Sequence, residues 1–231
     1  MRLSLLNPSS APFFFSEIFV AEPYWFATGK DQPFIIDGGV NIGFSLAYFK
    51  NKWPSSRVIG FEPHPDAYSV ALKNVTDNRF DGIELYQAAL ASSEGKLALS
   101  FYDESIMAST VTNRLKVRGV ETRSIEVNTM VLSKFIDQEV DFLKLDIEGS
   151  ETEVLEELGE KLRLVRNLFV EFHWTRGDDN NQLAKCVAIL EESGFNLLLT
   201  STLSTRISAA VAPLKRCGNV SSLSIFGSRA D

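Results

Sequence analysis

The residues best equipped for chemistry close short apolar runs. Asp37 follows Phe34-Ile35-Ile36, and Glu62 follows Arg57-Val58-Ile59-Gly60-Phe61. Asp146 and Glu148 follow Val140 to Leu145, and Glu171 and His173 end Leu168 to His173. A continuous apolar run reads as a strand buried on both faces of a parallel sheet, and ligands of such sheets gather at the carboxyl ends of the strands. His173 is the best candidate general base, because an imidazole with a pKa near 6.5 accepts a proton near neutrality. Asp146, Glu148 and Glu171 could orient it or take the proton themselves. The two-residue spacing within each pair sets both members on one side of an extended chain. Lys144 is out of place in an apolar strand and, if buried, requires as partner one of these acids, Asp146, Glu148 or Glu171. Carboxylates and a histidine also suit Mg²⁺ or a similar ion. No pair here has diagnostic ligand spacing, so no metal ligands are assigned.

A second constellation starts at Asp37. Gly38 and Gly39 permit a tight turn and a ligand close to the backbone, and Gly43 lets a helix, Ile42 to Asn51, start against the sheet. The amino terminus of that helix offers unpaired N–H groups to a carboxylate or phosphate. The dinucleotide fingerprint G-x-G-x-x-G is absent, and Asp37-x-Gly39-x-Asn41-x-Gly43 stands in its place. Glu62 lies 19 residues after Gly43, where a nucleoside-binding sheet sets a carboxylate against ribose hydroxyls. That carboxylate also fits a nicotinamide-dependent oxidoreductase, and a non-catalytic binding module is the third reading.

The elements that must position these groups alternate along the chain. Residues 13–28 are aromatic at helical spacing and predict a helix packed on the core, broken at Pro23; the other reading makes Tyr24 or Trp25 part of a cover over the ligand. Asp66 to Asn78 predicts a helix and Ile83 to Gln87 a strand, with Gln87 and Ala88 at its end leaving room for a flat base. Residues 95–127 alternate in short stretches, as a β-rich insertion would. Val131 to Gln138 predicts a short helix and Ser150 to Glu160 a longer one with acids in its early turns. The helix Gln182 to Ser193 and strands Phe195 to Leu199 and Leu223 to Phe226 complete an α/β fold with a mainly parallel sheet. Residues 1–231 read as a single domain with residues 1–30 as an amino-terminal helical cover.

Whole-chain properties narrow the function. Hydrophobic residues at 45% and charged residues at 23% describe an ordinary globular protein. A net charge of −7 with no basic stretch argues against nucleic acid as partner. Pro8 and Pro12 break the amino terminus as a signal peptide, and no segment approaches a membrane span. A cytoplasmic location is the default expectation, and association into a homo-oligomer is left open. Cys186 and Cys217 make no disulfide framework, and Cys186 reads as a small core residue.

The ordered set IDGGVNIG, GFEPHP, DFLKLDIEGSE and VEFH resembles the FkbM-type methyltransferase family over residues 14–174, with Val40 standing where alanine is commoner. The resemblance implies a Rossmann-like class I methyltransferase fold. Its seven-stranded sheet has helices on both faces and one antiparallel strand near the edge. It further implies S-adenosylmethionine as donor and a hydroxyl of a small molecule, a sugar or natural product, as acceptor. On the family's pattern Asp37, Gly39, Asn41 and Gly43 face the methionine half of the cofactor, joined by Asp146. Glu62 holds the ribose, and Pro63 with Gln87 and Ala88 borders the adenine. The insertion at 95–127 and the stretches 174–182 and 201–221 are expected to build the acceptor pocket.

Overall fold

A computed structural model describes residues 1–102, 105–110, 123–173, 182–201 and 222–229. In chain order the strands are β1 (Phe34–Gly38), β2 (Arg57–Phe61), β3 (Ile83–Tyr86), β4 (Ala89–Leu90), β5 (Gly95–Tyr102), β6 (Ser105–Thr110), β7 (Arg123–Met130), β8 (Val140–Leu145), β9 (Val165–His173), β10 (Asn196–Ser201) and β11 (Ser222–Ser228). The helices are α1 (Ala11–Phe14), α2 (Phe44–Lys52), α3 (Pro65–Asp77), α4 (Glu151–Leu158) and α5 (Leu183–Glu192).

Seven strands form one sheet in the order β10-β11-β9-β8-β1-β2-β3. Pairing is parallel from β9 through β3, whereas β11 runs antiparallel to both β9 and β10. This is the α/β fold expected, with the antiparallel strand one place from the edge. Four further strands make a second sheet, β4-β7-β5-β6, which draws on residues 95–102, 105–110 and 123–130.

The continuous apolar runs have a physical cause. Along β1, Phe34 and Ile36 enter one core while Ile35 enters the other, so every residue of the strand is buried. Helix α2 is likewise buried along Phe44 to Lys50, which explains its weak amphipathic pattern. It starts at Phe44 and not at Ile42, because Asn41 and Gly43 both take positive φ, 53° and 89°. Helix α3 carries Pro65 in its first turn, and the His64 ring accepts the Asp66 N–H.

Some boundaries differ from the sequence reading. The expected helix at Val131 to Gln138 is a single 3₁₀ turn, Leu132–Phe135, between β7 and β8. Strand β9 begins three residues before Leu168 because its polar residues find partners. Asn167 Nδ2 donates to the Asp141 carbonyl at 3.0 Å, and Arg166 pairs with Glu139 at 3.4 Å. In the amino-terminal segment, α1 runs directly into a π-helical turn, Phe15–Val20, and both end before Pro23. The stretches 174–181 and 202–221, expected to help form the acceptor pocket, lie outside the described residues, as does Cys217. Cys186 is buried in the core. Among the described residues no helix is long and apolar enough to cross a membrane.

Candidate functional site

The turn after β1 is built from backbone. Gly39 N and Val40 N both donate to the Phe61 carbonyl at 3.0 Å, which folds the turn over the end of β2. Gly39 has φ +88°, and a Cβ there would lie 1.9 Å from the Asp146 carbonyl oxygen. Glycine at this position lets the ends of β1 and β8 touch. Asn41 N then donates to Glu62 Oε2 at 2.8 Å, and His64 N to Glu62 Oε1 at 2.8 Å. Burial pushes the Glu62 carboxyl up to about 7, against the two backbone N–H groups and Lys144, which favour its charge. Asp37, Gly39, Asn41, Gly43 and Glu62 thus share one turn system. Pro63 follows half-buried, Ala88 is buried and Gln87 is exposed beyond β3.

Asp37 is wholly buried and accepts the Ser45 hydroxyl on Oδ2. Its Oδ1 makes no hydrogen bond of good geometry and faces the Lys144 ammonium at 3.2 Å. Lys144 Nζ also donates to the Gly39 and Gly38 carbonyls at 2.8 and 3.3 Å, and lies 3.5 Å from Asp146 Oδ2. Burial opposes this ammonium's charge, yet Asp37 and Asp146 hold its pKa above the ordinary lysine value. The partner demanded by a lysine in an apolar strand is therefore Asp37, with Asp146 beside it.

The ends of β8 and β9 bring the other acids around His173. Its Nε2 lies 3.6 Å from both Glu148 Oε2 and Glu171 Oε1, and its Nδ1 lies 3.3 Å from Glu151 Oε1. Glu148 reaches it from a backbone with φ 59°. Glu151 has no exposed surface and also accepts the Gly149 N–H at 3.0 Å. Burial disfavours the imidazolium, but Glu151, Glu171 and Asp146 outweigh it and raise the His173 pKa. Burial and the Asp146 charge lift Glu171 to about 7. All four sequence candidates for catalysis are neighbours here. Glu151, the acid that sets the ring, was legible only as a helix-terminal charge.

A cavity of about 270 Å³ opens beside the glycine turn; Asp146 and Glu171 line it, whereas Glu62, Glu148 and His173 lie behind its wall. Its wall includes Gly39, Asn41, Ser45, Lys144, Asp146 and Glu171, and its cover is the amino-terminal segment through Phe14, Glu17, Ile18, Tyr24 and Trp25. Glu17 is a functional candidate absent from the sequence reading. Burial and Asp146 lift its carboxyl to about 7, with Lys144 opposing. No local pattern marks it, since the charged groups that act on it, Asp146 and Lys144, stand more than a hundred residues away.

Comparison with known proteins places this architecture. The crystal structure of an rRNA methylase from Streptococcus thermophilus matches with a TM-score of 0.51 at 12% identity, over 99% of this chain and 100% of that one, a likeness of fold. Methyltransferase 1 of Beauveria bassiana is 32% identical over 212 residues, covering 82% of this chain and 84% of the relative. Hexuronic acid methyltransferase AglP of Haloferax volcanii is 28% identical over 145 residues, 62% of this chain and 57% of the relative. The methyltransferase FkbM domain model matches residues 37–197, from the first acid of the glycine turn into β10. The chain belongs to the FkbM methyltransferase family.

Proposed function

We propose that the protein transfers a methyl group from S-adenosylmethionine to a hydroxyl oxygen of a small molecule, a sugar or a natural product. The observation that carries this is one cavity walled by the Gly39–Asn41 turn on one side and by Asp146 and Glu171 on the other. The turn fits the cofactor on two grounds. Each Glu62 oxygen accepts one backbone N–H and keeps a lone pair for a ribose hydroxyl. The peptide at Gly39 is bare of side chain where the methionine half would lie. Pro63, Gln87 and Ala88 would border the adenine, and Asp37 and Asp146 would face the methionine end through Lys144.

Bound there, S-adenosylmethionine supplies an already activated methyl group on its sulfonium. The protein's share is to align the acceptor in line with it and to receive the acceptor's proton. Alignment can supply roughly 7–11 kcal/mol of the barrier. His173 receives the proton, with Glu171 or Asp146 as the alternative base, and Glu148 and Glu151 set the imidazole. The methyl group would pass to the acceptor oxygen as its bond to sulfur breaks, leaving S-adenosylhomocysteine as the product. A relative named for hexuronic acids supports a sugar-derived acceptor. Membership of a methyltransferase family sets the nicotinamide reading aside. We likewise propose that residues 1–231 form one domain, covered by residues 1–30 and extended at 95–127.

Calorimetry with S-adenosylmethionine and NAD tests the cofactor, and release of S-adenosylhomocysteine with a panel of hydroxylated sugars and polyketides tests the reaction. Micromolar binding of S-adenosylmethionine alone is expected. Binding of NAD in its place would overturn the reading, and binding without turnover on any acceptor would favour a non-catalytic module.

A further inference from the structure

Asp146, Glu171 and His173 each offer one ligand atom, and these atoms lie within 4.8 Å of one another. We infer that they form a site for one divalent cation of the first transition row, Mn²⁺ being the ion this oxygen-rich set with one imidazole suits, placed to bind the acceptor hydroxyl. The inference deepens the methyl-transfer reading and rests on it.

Four observations carry it. An octahedral ion with ligands at about 2.1 Å holds them about 3 Å apart when adjacent and about 4.2 Å apart when opposite, so atoms within 4.8 Å of one another stand close to the span it needs. The ligands come from the ends of two paired parallel strands, β8 and β9, and so stand on a rigid base. The imidazole is set as metal-bound histidines are: a wholly buried carboxylate, Glu151, takes Nδ1 and turns Nε2 toward the acids. Asp146 and Glu171 line the cavity, so an ion between them would face the acceptor. Carboxylates suit Mn²⁺ as they suit Mg²⁺, and an imidazole suits the first transition row, so Mn²⁺ meets both parts of the set.

Lys144 is the counterweight, since its ammonium lies 3.5 Å from Asp146 Oδ2. It is also held by Asp37 and by two carbonyls of the glycine turn. Glu17 adds a further acid from the cover of the same cavity. The ion lowers the pKa of the hydroxyl it binds. Because the ion occupies Asp146, Glu171 and His173, Glu17 takes their place as base: the O–H bond breaks, its proton passes to Glu17, and the oxygen's electron pair forms the C–O bond. The methyl–sulfur bond breaks with its pair left on sulfur, and S-adenosylhomocysteine leaves.

The test uses the full chain stripped with chelator and desalted. Mn²⁺ is titrated in, with unbound ion read by electron paramagnetic resonance and heat by calorimetry. One ion per chain at micromolar affinity is expected, weakened about tenfold or more by Glu171→Gln and by His173→Ala. S-adenosylmethionine affinity, measured on the same metal-free samples, should change little. Product release should cease in chelator and return with Mn²⁺. Absence of binding up to about 1 mM, binding untouched by both substitutions, or full turnover in chelator would each overturn the site. If His173→Ala is unfolded by circular dichroism, Glu171→Gln decides. A wild type that binds S-adenosylmethionine but no Mn²⁺ sinks the metal site alone, whereas a wild type that binds no S-adenosylmethionine sinks the methyl-transfer reading.

Discussion

Glu62 shows how one residue can serve the fold and a ligand at opposing cost. Its carboxyl is buried, and each oxygen closes a backbone turn, one from Asn41 and one from His64. With a folded pKa of about 7 against 4.5 unfolded, the fold favours the neutral acid. The native state therefore binds the extra proton between those values, and the group's contribution to stability declines as pH rises from 4.5 to about 7. The denaturation midpoint of the unliganded protein should carry this decline, and Glu62→Gln should flatten it. Ribose hydroxyls, as donors, favour the ionised form. S-adenosylmethionine should accordingly bind more tightly at about pH 8 than at about pH 6, and Glu62→Ala should lose about 1.5–3 kcal/mol for each hydrogen bond removed. Calorimetry that finds the variant's affinity unchanged would take Glu62 out of the site.

The turn between β1 and α2 is the element on which both halves of the site depend. Gly39 and Gly43 share a positive φ, but their surroundings differ. A Cβ on Gly39 would overlap the Asp146 carbonyl, whereas one on Gly43 would rest 3.4 Å from the Ala71 Cα. Gly43→Ala should thus cost only the conformational strain, about 1–2 kcal/mol. Gly39→Ala adds a backbone collision that forces β1 and β8 apart, for about 2–5 kcal/mol in all, and should abolish cofactor binding. Urea denaturation of the two variants checks the order. Equal losses would mean that the carbonyl of Asp146 yields easily, and the rigid link between glycine turn and acid cluster would be lost with it.

At the scale of the molecule, the amino-terminal segment belongs to the core that it covers. Tyr24 is 5% exposed, and its ring meets those of Phe169, Phe49 and Tyr48 at 5.1, 5.9 and 6.1 Å. Phe14 packs on Phe44, and Phe26 stacks on Phe142. A cover anchored by so many rings cannot leave without opening the aromatic face of the sheet. Tyr24→Ala should cost about 3–5 kcal/mol, the range for truncating a buried aromatic residue. A thermal melt would show it, and a melting temperature equal to that of the wild type would make the segment a detachable flap. Trp25, 59% exposed at the cavity rim, lacks that anchoring.

Local spacing alone determined a good deal of this protein. Runs such as Phe34 to Ile36 and Val140 to Leu145 announce strands because both faces of the sheet are covered, so no polar face interrupts the pattern. The turn residues Asp37, Gly39, Asn41 and Gly43 were legible because a left-handed backbone between strand and helix restricts residue type within a few positions. The match of Lys144 to an acid followed from charge burial alone. Tertiary structure decided what depends on distant segments meeting. Glu17 reaches the cavity only because aromatic packing lays residues 14–25 over the sheet. Glu151 finds His173 because β8 and β9 are neighbours, so a helix-terminal acid becomes the orienting partner of a ring 22 residues later. A single carboxylate in sequence carries no mark of its partner. The ring it turns is fixed by packing, where burial makes an unpaired charge too costly to tolerate.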